Sequence, residues 1–499
     1  MARLRVLIAV ASVVSLASAV GSTLPALAGT RTGAATYSQP TWWQKFQTVS
    51  APGFKPLPRP GTTQSVAVGS NVDVSNEPGP QSETSIAINP SAQSQIVAGS
   101  NEIFRLPMRG YFSVNGGSSW GGVDLPLPPP LTINGTDFGS DPSVAWDTHG
   151  NVFYAYIVVF FSSGFPNGVA INGTEMAVAR SSDGGRTWKS TFFALQPGET
   201  KFNDKPYIAV DDNPSSPHRD TVYVAWDRFD GSASSFNGVL VSHSTDGGMT
   251  FSAPVFASST ASGPKGDIGA DPFVGPDGTL HVAWHDVQNK AIVEASSTDG
   301  GNSFGSTHTI APTQLAFDVA IPAMATRRAL VYPACGADTS TRPNRGTLYC
   351  SWMDETSSNG TDVFVSRSTN SGTTWSGPLR VNDDPAGVAN DQFNQWLAVD
   401  PSDGSVNLSW NDTRNDPAHL STDIFYTRST DGGLSFAKNV QVTTAPTNET
   451  CCGADLGNQY GDYEGIAAMD GSIHPVWTDR RAAVASLDEE IFTTTIAVR

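Results

Sequence analysis

The residues with chemical capacity recur in two places along the chain. Just after a set of apolar runs come Asp227-Arg228, His285-Asp286, Asp354-Glu355, Asp412 with Arg414, and Asp479-Arg480. Just before another set stand Asp141, Asp204-Lys205, Asp271, Asp391 and Asp462-Tyr463-Glu464. An aspartate that returns at the same point of each unit suits a loop brace, because a reactive centre is asymmetric. The residues that do not repeat are the candidates: Arg228, Arg414, Arg480, Lys205, Tyr463 and Glu464, with Asp204 beside Lys205. A guanidinium is a planar fork that grips a carboxylate through paired, charge-assisted bonds. Carboxyl and phenol groups move protons or attack carbon.

What positions these residues is an internal repeat. Six segments carry Ser, then Asp or Asn two residues later, Gly two after that, then Thr or Ser, then Trp or Phe: Ser113–Trp120, Ser181–Trp188, Ser244–Phe251, Ser297–Phe304, Ser368–Trp375 and Ser429–Phe436. Asp183, Asp246, Asp299 and Asp431 accept backbone N–H groups inside a tight turn, and Gly185, Gly248, Gly301 and Gly433 permit positive φ. Asn115 and Asn370 keep the acceptor without the charge.

Around each turn the same four strands are expected. In the third unit they are Tyr207–Val210, Thr221–Trp226, Val239–His243 and the chain after Phe251; in the sixth, Trp396–Val399, Val406–Trp410, Ile424–Arg428 and Asn439–Thr443. Trp226, Trp284, Trp352, Trp410 and Trp477 close the second strand and read as core between units. After the sixth turn, Gly465–Met469, Ile473–Trp477 and Ile491–Val498 make three strands of a further unit. Its fourth is Val66–Val74, ahead of Thr84–Ile88, so pairing of the two ends hides two open sheet edges. The fold class is therefore all-β: a β-propeller of seven four-stranded blades with six repeat turns, six blades being the alternative. The repeat turns join strands C and D on one face; the B–C and D–A loops meet on the other, around a central funnel.

The repeat resembles the Asp-box, or BNR, repeat of sialidase-like propellers, over about residues 64 to 499. The resemblance implies a secreted glycoside hydrolase of exo-α-sialidase type acting on glycans in the funnel. By that resemblance Arg228, Arg414 and Arg480 would bind the substrate carboxylate, Tyr463 would be the nucleophile activated by Glu464, and Asp204 the acid/base; Tyr nucleophiles are a known exception among glycosidases. Where sialidases carry Arg-Ile-Pro, this chain has Glu83-Thr84-Ser85. Phe104-Arg105-Leu106-Pro107 is a similar run placed later in the first unit. A non-catalytic glycan- or protein-binding propeller is the second reading. A polysaccharide lyase, with His285 or Tyr463 as base, is the third.

The 499 residues carry 48 Gly, 34 Pro, 15% charged residues and a net charge of −18. Such composition suits short strands joined by tight turns, and the absence of a basic footprint excludes nucleic acid as partner. Arg3, Arg5, the apolar run Val6–Val20 and Ala26-Leu27-Ala28 read as a signal peptide over 1–28; a Pro-rich leader follows over 29–62, and the propeller over 63–499. No later stretch has the length and apolarity of a membrane helix. The expected location is outside the cell, the expected partner a glycan, and no cofactor or metal motif is present; an acidic rim would accept Ca²⁺. Four cysteines permit three pairings. Cys335 with Cys350 is expected, across one hairpin of blade 5, leaving the neighbours Cys451 and Cys452 as thiols or as partners of another chain.

Overall fold

The computed structural model describes residues 66–498 apart from 78, 104, 132–135, 162–170, 199–200, 231–234, 259–265, 356–359, 386 and 482–488. The expected signal peptide and most of the Pro-rich leader lie outside the described residues. Seven antiparallel sheets follow one another around a ring, with strand A innermost. The seven A strands are Gln81–Ile88, Thr136–Trp146, Lys201–Val210, Asp267–Val274, Ala334–Ala337, Gln392–Val399 and Gly465–Met469. Among the described residues there is no helix. Between blades 4 and 5 a separate hairpin, Asp318–Ile321 with Met324–Leu330, interrupts the repeat.

The ring closes through its two ends. Val66 pairs with Val498, Val68 with Ile496 and Val72 with Thr493, so the N-terminal segment is strand D of blade 7. This strand is broken at Gly69–Asn71, opposite the break at Thr494–Thr495 in its partner.

Each repeat turn is held by its own side chains. In blade 2 the Ser181 hydroxyl donates to Asp183 Oδ1 at 2.7 Å and accepts from the Gly185 amide at 2.9 Å; Asp183 in turn accepts from the Thr187 amide at 2.9 Å and the Thr187 hydroxyl at 2.7 Å. Gly185 sits at φ +90°, where a side chain is strained. In blade 1 Asn115 keeps the first role, accepting from the Ser119 amide at 3.0 Å, but its amide donates to the Ser119 hydroxyl instead of accepting from it. The substitution therefore reverses one bond and preserves the turn.

The strand-B tryptophans are fully buried between blades. Trp410 and Trp477 each donate their indole N–H to the aspartate two residues on, Asp412 at 2.9 Å and Asp479 at 2.8 Å. Asp227 instead accepts from the Gly269 amide of the next blade at 2.9 Å. The recurring aspartates are thus braces that satisfy polar groups the core would otherwise strand. Cys335 and Cys350 face each other in register, Cα atoms 4.1 Å apart, and are disulfide-bonded.

Candidate functional site

The A strands set the geometry of the funnel. The residue of strand B just before its tryptophan, or the equivalent position in blades 1 and 2, pairs with Ser85, Ser143, Tyr207, Asp271, Ala334, Trp396 and Gly465. All of these except Ala334 line the central cavity. Two residues upstream in each blade stand Glu83, Asp141, Lys205, Gly269, Tyr332, Asn394 and Tyr463. In five blades a bulge intervenes, and the upstream residue has positive φ: Glu83 +55°, Asp141 +60°, Lys205 +52°, Gly269 +77° and Asn394 +48°. A left-handed backbone at a charged residue costs about 1–3 kcal/mol, and such strain gathers at functional sites. At Gly269 no side chain would fit, since an added Cβ would meet the Tyr332 ring at 2.4 Å.

The bulges bring a charged cluster together from distant parts of the chain. Arg327, from the inserted hairpin, donates Nε to Asp462 Oδ1 at 2.7 Å and lies 2.9 Å from Glu83 Oε1 through Nη2. The Lys205 ammonium pairs with Asp462 and stands 3.7 Å from Glu83. Asn101 donates to Glu83 Oε2 at 2.7 Å and accepts the Asp141 amide, also at 2.7 Å. Asp204 is hydrogen-bonded through its carboxyl to Asp141. Glu83, Asp141, Lys205, Arg327 and Asp462 are buried; Asp204 keeps some exposed surface. Below them the channel is crossed by Tyr207, Trp396 and Tyr463, with ring centroids 5.2 to 5.9 Å apart.

Two cations therefore face four carboxyl groups. Burial pushes Glu83 up to about 8, with Asp462 and Asp141 adding to the rise against Lys205 and Arg327. Burial and then the charge of Asp141 hold Asp204 well above the carboxylate range. For Asp141 and Asp462 burial acts the same way but is outweighed: Lys205 and hydrogen bonds lower the first, Arg327 and Lys205 the second. Lys205 loses by burial and gains more from the surrounding carboxylates, so it stays charged. The directions within the cluster are therefore opposed: burial favours the protonated forms of Glu83 and Asp204, whereas Lys205 and Arg327 favour the ionised forms of Asp141 and Asp462. A protonated acid hydrogen-bonded to an ionised one is an arrangement able to give up a proton on demand.

No family model and no curated protein matches this chain. Among solved structures it is similar to a protein of unknown function from Dyadobacter fermentans, at 14% identity over 75% of this chain and 100% of that one, TM-score 0.47. It is also similar to a leech intramolecular trans-sialidase, at 13% identity over 70% of this chain and 67% of that one, TM-score 0.45. A third is an α-L-arabinofuranosidase from Fusarium graminearum, at 12% identity over 69% and 93%, TM-score 0.41.

The residues singled out from sequence divide between this cluster and elsewhere. Asp204 and Lys205 are in it, on strand A rather than in a loop, because the bulge carries the strand on past the expected start at Tyr207 to Lys201. Tyr463 lies at its floor with its hydroxyl donating to the Pro142 carbonyl at 3.1 Å, and burial raises its phenol well above 10. Glu464 points the other way, accepting from the Thr478 amide at 3.2 Å, and burial pushes it up to about 8. The three arginines have separate partners. Arg228 donates to Asn203 at 3.2 Å. Arg414 pairs with Asp383 at 2.6 Å and Asp412 at 2.7 Å and lies over the Phe425 ring. Arg480 is buried beside Glu449 and Glu489 and donates to the Asn448 and Cys451 carbonyls at 3.0 and 2.9 Å. Arg105 pairs with Glu77 and Asp124. His285 is in the interior, 3.1 Å from the Thr313 hydroxyl, and burial pushes it down to about 3.

Sequence reasoning passed over Arg327 and gave Glu83 and Asp141 no role in binding or catalysis. Arg327 belongs to the longest interval between repeat turns, Ser297 to Ser368, where an insertion breaks the pattern. Glu83 and Asp141 had a usable signal in the aligned runs Ser82-Glu83-Thr84-Ser85, Ser140-Asp141-Pro142-Ser143 and Asp204-Lys205-Pro206-Tyr207. Among the described residues no group of three or more His, Cys, Asp or Glu is arranged to hold a metal.

Proposed function

We propose that this chain is a secreted glycan-acting propeller of the glycoside hydrolase kind, with Asp204 as its acid. The observation that carries this reading is the Asp204–Asp141 pair: the Lys205 amide donates to both carboxyl groups, at 3.1 and 3.3 Å, and burial drives Asp204 toward its protonated form while Lys205 drives Asp141 toward its ionised form. In this scheme Asp204 gives its proton to the leaving oxygen of the glycosidic bond. Asp141, held ionised by Lys205, opposes the positive charge that develops on the sugar ring. Exo-α-sialidase is the finer form of the proposal. Its support is the repeat turn; its demand is a carboxylate clamp, for which Arg228 is, of the three candidate arginines, the one with no carboxylate partner among the described residues.

The test is hydrolysis of aryl sialosides and other aryl glycosides by the purified chain. Asp204→Asn is expected to lower kcat about 10²- to 10⁴-fold with little change in KM, the usual contribution of a general acid. Full activity in that variant would remove Asp204 from the scheme. A second reading, non-catalytic glycan binding, draws on the internal pairing of Lys205 and Arg327. Absence of hydrolysis alongside measurable glycan binding would select it.

A further inference from the structure

The connection from blade 6 to blade 7 carries two adjacent cysteines, Cys451 and Cys452, exposed and free. Cys452 sits at φ +60°, a left-handed conformation unfavourable for a residue with a side chain. The backbone beneath them is tied down. Arg480 donates to the carbonyls of Asn448, Cys451 and Cys452, and Glu489 accepts the Asp455 amide at 2.5 Å. From there Gln459, itself at φ +47°, reaches toward the funnel: its amide donates to the Glu449 carbonyl at 3.0 Å and the Ala323 carbonyl at 3.2 Å, and its oxygen accepts the Arg327 amide at 2.9 Å. Arg327 is the residue whose guanidinium holds Asp462 and Glu83.

We propose that Cys451 and Cys452 form a thiol–disulfide exchange site that converts between a dithiol and a disulfide of neighbours, and that its state is transmitted through Gln459 to Arg327. The oxidant is a small-molecule disulfide such as oxidised glutathione. One thiolate attacks it, releasing one glutathione thiol; the second cysteine then attacks the mixed disulfide and releases the other, so both thiol protons and two electrons leave the protein. Neighbouring Cα atoms are about 3.8 Å apart across a trans peptide. Disulfides span roughly 4.4–6.8 Å, so the small ring is strained and readily reduced, the property of labile rather than structural disulfides. Closing it demands new backbone angles at both cysteines, and the carbonyls that Arg480 holds move with them. The proposal is independent of any glycan chemistry.

The experiment uses the full chain, with Cys335–Cys350 as internal reference. Treatment with oxidised glutathione is expected to yield a Cys451–Cys452 peptide lighter by two hydrogens. The reduced chain is expected to bind one equivalent of phenylarsine oxide, a reagent that requires two nearby thiols, and Cys451→Ser and Cys452→Ser each to lose that binding. Hydrogen exchange at the Arg327 amide is expected to quicken at least tenfold on oxidation in the wild type and not in Cys452→Ser. Stable glutathione adducts on both cysteines, or dimers linked through them, would overturn the exchange site; an Arg327 amide indifferent to oxidation would overturn the transmission.

Discussion

Replacing Arg327 by Met isolates what the funnel cluster contributes to stability. The guanidinium is 5% exposed and bonded to Asp462 and Glu83, whose side chains are 3% and 2% exposed. Met fills much of the same volume, so the loss is mainly electrostatic. Removing one partner of a buried ion pair costs about 3–5 kcal/mol, because the remaining charge is stranded. Asp462 retains Lys205, which points to the lower end of that range. The sign of the pH dependence follows. Without Arg327 the folded pKa of Asp462 rises, so the variant's deficit should shrink as the pH falls and a proton neutralises the stranded carboxylate. Urea unfolding at pH 8 and pH 5.5 measures both quantities, and Arg327→Met combined with Asp462→Asn completes a double-mutant cycle. A loss under about 1 kcal/mol at pH 8, or an equal loss at both pH values, would refute an ion-paired cluster; the double variant should recover much of the deficit.

Two further outcomes are expected. Deleting residues 64–76 or 490–499 should lower the thermal midpoint of the whole propeller, because either removes one side of the Val66–Val498 pairing and opens an edge; unchanged unfolding would count against closure by the termini. Asp271 and Glu464 are both raised to about 8 by burial, so the folded state binds their protons more tightly than the unfolded chain does. Their contribution is fully present below the unfolded carboxylate range and is lost as pH rises toward about 8, at up to about 1.4 kcal/mol per pH unit for each group. Thermal midpoints of Asp271→Asn with Glu464→Gln should therefore vary less between pH 5 and 8 than those of the wild type; parallel profiles would exclude this origin.

The architecture was legible because it rests on local and periodic causes. A Ser, an Asp and a Gly at fixed offsets close a turn wherever they occur, and a Trp ending each strand B must find an interior. Three strands at one end and a spare apolar strand at the other leave edges that only ring closure covers. The Cys335–Cys350 bridge followed from the same hairpin register. The site was legible only in part. Lys205 stood out because it does not recur, and Asp204 came from the family resemblance; Arg228, Arg414 and Arg480 were as unrepeated as Lys205 and could not be told apart as letters shortly after an aspartate.

What separated those arginines was tertiary: each meets different neighbours, Asn203 for one, Asp383 and Asp412 for another, Glu449 and Glu489 for the third. The funnel cluster draws Glu83, Asp141, Asp204, Lys205, Arg327 and Asp462 from opposite ends of the chain. Its charge state depends on burial and on distances between carboxyl groups, which no spacing in a sequence encodes. The repeat by itself determined that seven strand A segments would ring an axis. Only the folded chain decided that bulges would turn five of them inward at left-handed residues, and that an insertion outside the repeat would supply the arginine they close upon, because both depend on contacts between blades rather than on neighbours along the chain.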